Sequence, residues 1–222
     1  MFVKNQELIL ISIISLFSFL ILHYLSSSFS DLNMTVHSWM GSIQNEGFTQ
    51  LSILIHNWLD TVILLSISLI LSVVLFFKKH FWSALSIAGA MGGSTLLLKI
   101  LKTVIESPRP SNELHLGGDF SFPSGHLTST IVFSGILFYV LYQNRQTLSV
   151  KLCALIIVPS LSFLVAFSRL YLNLHWFNDI LAAPFLAFFI LSTTILVITF
   201  MVEKYDQKLL CFFNKIINFF VN

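Results

Sequence analysis

A succession of long apolar runs, with little chain between them, constrains this sequence more than any other feature. Runs long enough to cross about 30 Å of hydrocarbon occupy residues 7–29, 61–77, 81–105, 126–143, 150–168 and 177–202. Backbone N–H and C=O groups in lipid must be satisfied within their own segment, so each run is expected to be a helix. The expected fold class is all-α, an integral membrane bundle of six transmembrane helices forming a single domain over residues 1–222. Composition agrees: 56% of the residues are hydrophobic and 10% charged, against roughly 25% charged in soluble domains. The tail after Glu203 mixes Lys208 and Lys215 with Leu209, Leu210, Phe212, Phe213, Ile216 and Ile217, the pattern of an amphipathic helix lying on the membrane surface. The first run follows Lys4 and precedes Ser26, Ser27 and Ser28; it is long for a signal-peptide core and reads as a retained anchor.

The basic residues set an orientation. With both termini inside, Lys4, Lys78, Lys79, Arg145, Lys151, Lys204, Lys208 and Lys215 lie on the cytoplasmic side, as the positive-inside bias expects. Lys99, Lys102, Arg109 and Arg169 fall against that bias, on the outer side. A net charge of +2 with scattered basic residues excludes a nucleic-acid partner; the lipid bilayer is the expected surroundings. Cys153 and Cys211 form no metal-type or redox spacing and read as packing residues. Trp39, Trp58, Trp82 and Trp176 lie at or near span ends or in the outer loop, where the interfacial anchor is the expected role. Asn33, Met34 and Thr35 form a glycosylation triplet of a kind that arises easily by chance.

Three polar clusters interrupt the apolar chain, all on the outer side: Lys102 with Arg109 and Pro110; Pro123, Ser124, Gly125 and His126; and Ser168 and Arg169 through His175 to Asp179. The 41 residues between His126 and Ser168 match two spans of ~20 residues. The chain therefore goes in and returns, bringing the clusters to one side. Three cations and two histidines converging there imply a bound anion.

Phosphate chemistry accounts for each residue type. A phosphoryl group in transfer spreads negative charge over its equatorial oxygens and needs fixed positive groups around it. Lys102, Arg109 and Arg169 supply that charge, Arg as a planar fork and Lys as a point charge. Ser124 and Gly125 open the fourth span, where backbone N–H groups and the helix dipole favour an anion. His175 and Asp179 share a helical face, so the carboxylate can hold one ring nitrogen while the other attacks phosphorus. The phosphohistidine is then hydrolysed by water, with His126 protonating the departing alkoxide. An anionic substrate beside His126 favours its charged form.

Each motif has a blander reading. A lone cation near a span end usually snorkels, which is the reading taken for Lys99. A His/Asp pair one turn apart is often a structural hydrogen bond, and Pro-Ser-Gly can mark only a helix start. Ionisable groups near a membrane are costly, and three ordered clusters on one side favour function. His23, His37, His56, His80 and His115 receive no role. Glu106, Glu113 and Asp119 read as solvated loop charge. Few acidic residues accompany the cations, so no metal and no cofactor is expected.

These residues resemble the type 2 phosphatidic acid phosphatase family, which also includes vanadium-dependent haloperoxidases. The resemblance rests on KTVIESPRP at 102–110, PSGH at 123–126 and SRLYLNLHWFND at 168–179, within a motif core of 99–182. It implies that Lys102, Arg109, Ser124, Gly125 and Arg169 bind phosphate, that His126 is the acid, and that Asp179 orients the nucleophile His175. One departure is Asn173, where family members often have Gly; Asn tolerates a left-handed backbone. The resemblance further implies a bacterial inner-membrane enzyme with its site facing outward, acting without metal on a membrane lipid phosphate. Undecaprenyl diphosphate is placed first, then phosphatidylglycerol phosphate or phosphatidic acid, then a lipid A phosphatase or a phosphotransferase. A non-catalytic lipid carrier is the competing class, and would not need His175 paired with Asp179.

Overall fold

The structure, a computed structural model, describes residues 5–111, 116, 118, 120–145 and 147–221, with the backbone alone described at 145, 207–211, 214–215 and 217–221. Glu113, His115, Asp119 and Lys4 therefore lie outside the described residues, as do the side chains of Arg145, Lys208, Cys211 and Lys215. The described chain is helical: α1 (Asn5–Tyr24), α2 (Ser30–Ser42), α3 (Glu46–Trp58), α4 (Thr61–Phe77), α5 (Phe81–Ile105), α6 (Gly125–Arg145), α7 (Leu148–Tyr171) and α8 (Phe177–Val221), with a 3-10 turn at Ser26–Phe29.

Five helices, α1 and α5 to α8, are each long and apolar enough to cross a membrane. A sixth span exists if α3 and α4 are taken together as a broken one, bent by 41°. The second expected span thus coincides with α4, but a helix the sequence left as loop leads into it. Local chemistry produces the break. Asn45 caps α3 by accepting from Phe48 N at 3.1 Å, and Asp60 starts a new helix by accepting from Val62 N at 2.8 Å. Both are strong N-cap residues, which satisfy backbone donors that a helix start leaves open.

α6 lies at the centre, touching α4, α5, α7 and α8. Fully buried Ile87, Ala90 and Met91 of α5 meet Val132 and Ile136 of α6 and Ala182, Ala183 and Ala187 of α8 in one core. Small side chains let helices approach closely where burial of apolar surface supplies little force. Gly135 of α6 is such a position: a Cβ there would come within 2.7 Å of Leu191 Cδ1. α1 runs along α8, joined by a buried bond of 2.6 Å between Ser12 Oγ and Ser192 Oγ. Leu155, Ile156 and Phe163 of α7 and Ile13 and Phe17 of α1 remain exposed, as a lipid-facing surface requires.

Several expectations change here. Cys153 is exposed on α7 and is not a packing residue. The tail is helical but continues α8 without a break to Val221 instead of forming a separate surface helix. At 1.5 Å per residue, its 45 residues extend about 68 Å, more than twice the hydrocarbon thickness. Asn33 is committed to packing: its Nδ2 donates to Asn178 Oδ1 at 3.0 Å and its Oδ1 accepts from Asn178 N at 3.2 Å. Trp82 does more than anchor, since its Nε1 donates to Asp206 Oδ1 at 2.6 Å, tying α5 to α8.

Candidate active site

Lys102 stands in the last turn of α5, and its Nζ donates to the carbonyl of Phe120 at 2.6 Å. The loop that follows is closed on itself by an antiparallel bridge between Pro108 and Phe120 and by Ser121 N donating to Ser107 O at 2.8 Å. That closure carries Arg109 back toward α5 and presents it to the turn between α7 and α8. Arg109 donates from Nε to Gly118 O and from Nη1 to Leu174 O, both at 2.5 Å. Trp176 Nε1 donates to Pro108 O at 2.8 Å and pins the same loop from the other side. Trp176, expected as an interfacial anchor, is thus part of the frame of the site.

The α7 to α8 turn explains the departure at position 173. Asn173 N donates to Leu170 O and Leu174 N to Arg169 O, each at 3.0 Å, and Asn173 has φ +52°. This is a Schellman ending, whose left-handed residue is usually Gly and sometimes Asn. The turn survives the exchange. It delivers His175 two residues later, just before α8 begins.

His175 is 4% exposed and Asp179 fully buried. Asp179 Oδ2 accepts from Trp176 N at 2.9 Å and lies 3.2 Å from His175 Nδ1. Arg109 Nη1 lies 3.3 Å from His175 Nε2. A carboxylate can only accept and a guanidinium only donate, so both contacts assign the same tautomer: the proton on Nδ1, the lone pair on Nε2. Burial, then the nearby Arg109 and Lys102 cations, hold the His175 pKa well below its ordinary value. The ring is neutral, and its unprotonated Nε2 can act as a nucleophile once a substrate oxygen takes the Arg109 donor that now meets it.

His126 occupies the first turn of α6. Its Nε2 lies 3.2 Å from Asp60 Oδ2, an ion-pair distance without the alignment of a hydrogen bond. His56 of α3 stacks on it, with ring centroids 4.7 Å apart and 24° between planes. The other face of that arrangement is Arg169, whose Nη1 contacts His56 Nδ1 and whose Nη2 donates to Ser168 Oγ at 3.2 Å. Sequence reasoning gives His56 no role and passes over Asp60. One signal was available: a carboxylate directly at the start of an apolar run, one helical turn after a histidine.

A cavity of about 330 Å³ opens among these groups, lined by Lys102, Arg109, His126 and His175 together with Gly125 and Thr61. A methyl added at Gly125 would meet nothing closer than 3.8 Å, from Lys102 Cε and Thr61 Oγ1. Glycine is not demanded by the protein there; its missing side chain leaves room in the cavity itself. Two expected phosphate ligands stand behind the wall. Ser124 is fully buried and Arg169 1% exposed, and neither lines the cavity. Ser124 Oγ and Arg169 Nε are buried polar atoms with no hydrogen-bond partner among the described residues, a costly state that an anion drawn deep into the site would relieve. Of the remaining histidines, His23 packs at a tilt against Phe122 and His37 against Trp176. Among the described residues no three His, Cys, Asp or Glu side chains converge as a metal site.

Comparison with known proteins adds three findings. The family model described as the PAP2 superfamily matches residues 83–203. The chain is 32% identical over 148 residues to phosphatidylglycerophosphatase B of Bacillus subtilis (strain 168), covering 66% of this chain and 69% of that protein. It is also similar, at a TM-score of 0.68 and 27% identity, to the crystal structure of a transmembrane PAP2-type phosphatidylglycerolphosphate phosphatase from Bacillus subtilis, over 89% of this chain and 96% of that one.

Proposed function

The chain belongs to the PAP2 superfamily and is a multi-span membrane lipid phosphatase, and from that premise we propose that it hydrolyses the phosphomonoester of phosphatidylglycerol phosphate. The observation that carries the mechanism is the double-ended contact of His175, with Asp179 on Nδ1 and the cavity cations around Nε2. Nε2 forms the bond to phosphorus as the P–O bond to the lipid breaks. His126 gives the alkoxide its proton. Water then attacks the phosphohistidine, its proton returning to His126 and the N–P bonding pair to His175. Lys102 and Arg109 neutralise the equatorial oxygens, and Arg169 and Ser124 bind those that reach deepest.

The substrate is the finer part of the proposal. The curated match and the solved structure, each named for phosphatidylglycerol phosphate, support it. Undecaprenyl diphosphate, placed first from sequence, gains no support from either. The proposed setting is a bacterial inner membrane with the site on the outer side and both termini inside, supported by the distribution of Lys and Arg among the loops. Cysteine-accessibility labelling at position 111 tests it, and labelling from the cytoplasm would reverse it.

The substrate test is phosphate release by purified protein, with chelator present, from phosphatidylglycerol phosphate, undecaprenyl diphosphate, phosphatidic acid and lipid A. The expected result is fastest release from phosphatidylglycerol phosphate, abolished in His175→Ala. Faster release from another lipid overturns the substrate assignment; release retained in His175→Ala overturns the nucleophile.

A further inference from the structure

We propose that Asp60 is a positioning residue for the general acid, its carboxylate favouring the charged form of the His126 imidazole from which a proton passes to the leaving alkoxide. This rests on the reading of His126 as that acid.

The two oxygens of Asp60 face different partners. Oδ1 accepts from Val62 N at 2.8 Å and caps α4, while Oδ2 lies 3.2 Å from His126 Nε2. A cap needs only one acceptor, which Ser or Asn supplies as well as Asp. The second, charged oxygen is surplus to that duty. It is brought to His126 by the 41° break between α3 and α4, which sets Asp60 against the first turn of α6.

The surroundings give the carboxylate its task. Arg169 of α7 lies behind His56, Arg109 comes from the loop after α5, Lys102 from α5 itself, and His175 from the turn before α8. His56 of α3, stacked on His126, presents Nδ1 to the Arg169 guanidinium and is therefore a neutral acceptor there. Cations thus press on His126 from three elements, and each opposes a charged imidazole. Asp60 is the countercharge that works against them. When His126 passes one ring proton to the alkoxide oxygen, the imidazole becomes neutral; taking a proton from the attacking water restores the imidazolium beside Asp60.

The test separates this role from capping and from the acid reading. First-turnover rates are measured on two alkyl esters, phosphatidylglycerol phosphate and phosphatidic acid, and on p-nitrophenyl phosphate, whose leaving group departs without a proton. Wild type, His126→Ala, Asp60→Asn and Asp60→Ser are compared, the last two keeping a cap oxygen. The expected result is a fall of ~10–100-fold in the alkyl-to-aryl rate ratio in both Asp60 variants, with the basic limb of the alkyl pH profile moved to lower pH and thermal unfolding unchanged. If His126→Ala lowers the ratio while the Asp60 variants lose nothing, or lose equally on both ester types, Asp60 has no such role and the acid reading stands. If His126→Ala loses equally on both types, the acid reading fails and this inference fails with it.

Discussion

Asp179→Asn isolates the charge behind the nucleophile, because the surrounding donors decide how the amide must sit. One oxygen, Oδ2, receives both Trp176 N at 2.9 Å and His175 Nδ1 at 3.2 Å. An asparagine that turned its NH₂ to that side would oppose two donors, one of them a backbone N–H that cannot move. The amide oxygen is therefore held toward His175, and the ring keeps its proton on Nδ1. What is lost is the charge, which supports the positive ring of the phosphohistidine as it forms. A hydrogen bond to a charged group contributes about 1.5–3 kcal/mol, and 1.36 kcal/mol is tenfold in rate, so kcat should fall roughly 10–100-fold. KM should hold, because Asp179 does not line the cavity. The assay is phosphate release in detergent micelles over a range of substrate, with acid-stable and base-stable phosphoprotein compared after quenching. A loss near 10⁴-fold, the size seen where a triad histidine takes the wrong tautomer, would refute the argument from Trp176. A loss below threefold would refute the role of the charge.

Other outcomes follow from the same geometry. Asn173→Ala places a residue without a side-chain partner at φ +52° and should cost about 1 kcal/mol of stability, read as a lowered unfolding midpoint, while Asn173→Gly should not. Arg109→Gln removes a cation 3.3 Å from His175 Nε2. The cation lowers the His175 pKa, so its removal raises it, and the acid limb of the kcat profile should move to higher pH; an unmoved or lowered limb would contradict the electrostatic account. Gly125→Ala meets no contact closer than 3.8 Å, so unfolding should be unchanged while the methyl narrows the cavity and raises KM about tenfold.

Much of this molecule was legible in the sequence because the relevant forces are local. All six apolar runs became helices that start within about two residues of the expected positions, since a backbone in lipid has one economical way to satisfy itself. The pairing of His175 with Asp179 follows from one helical turn, and Asn173 from the demand of a helix end for a left-handed residue. The alternation of inward and outward spans was enough to bring Lys102, Arg109, Gly125, His126 and His175 to one cavity. The residues themselves, read in order, therefore determined the membrane bundle and which of the polar clusters meet in one cavity.

Tertiary structure decided the rest. α2 and α3 carry no run long enough to announce themselves; α3 is held against α7, and α2 against α7 and α8. Only that docking turns His56 onto His126 and Arg169, across more than a hundred residues of chain in the case of Arg169. Arg169 and Ser124 share motifs with residues that line the cavity, yet helix packing buries them behind it. Asp60 caps α4 through one oxygen, and the second use of its carboxylate exists only because a broken helix meets α6. Spacing along a chain determines which residues share a face. Which faces meet depends on helix crossings, and these are set by the whole buried core.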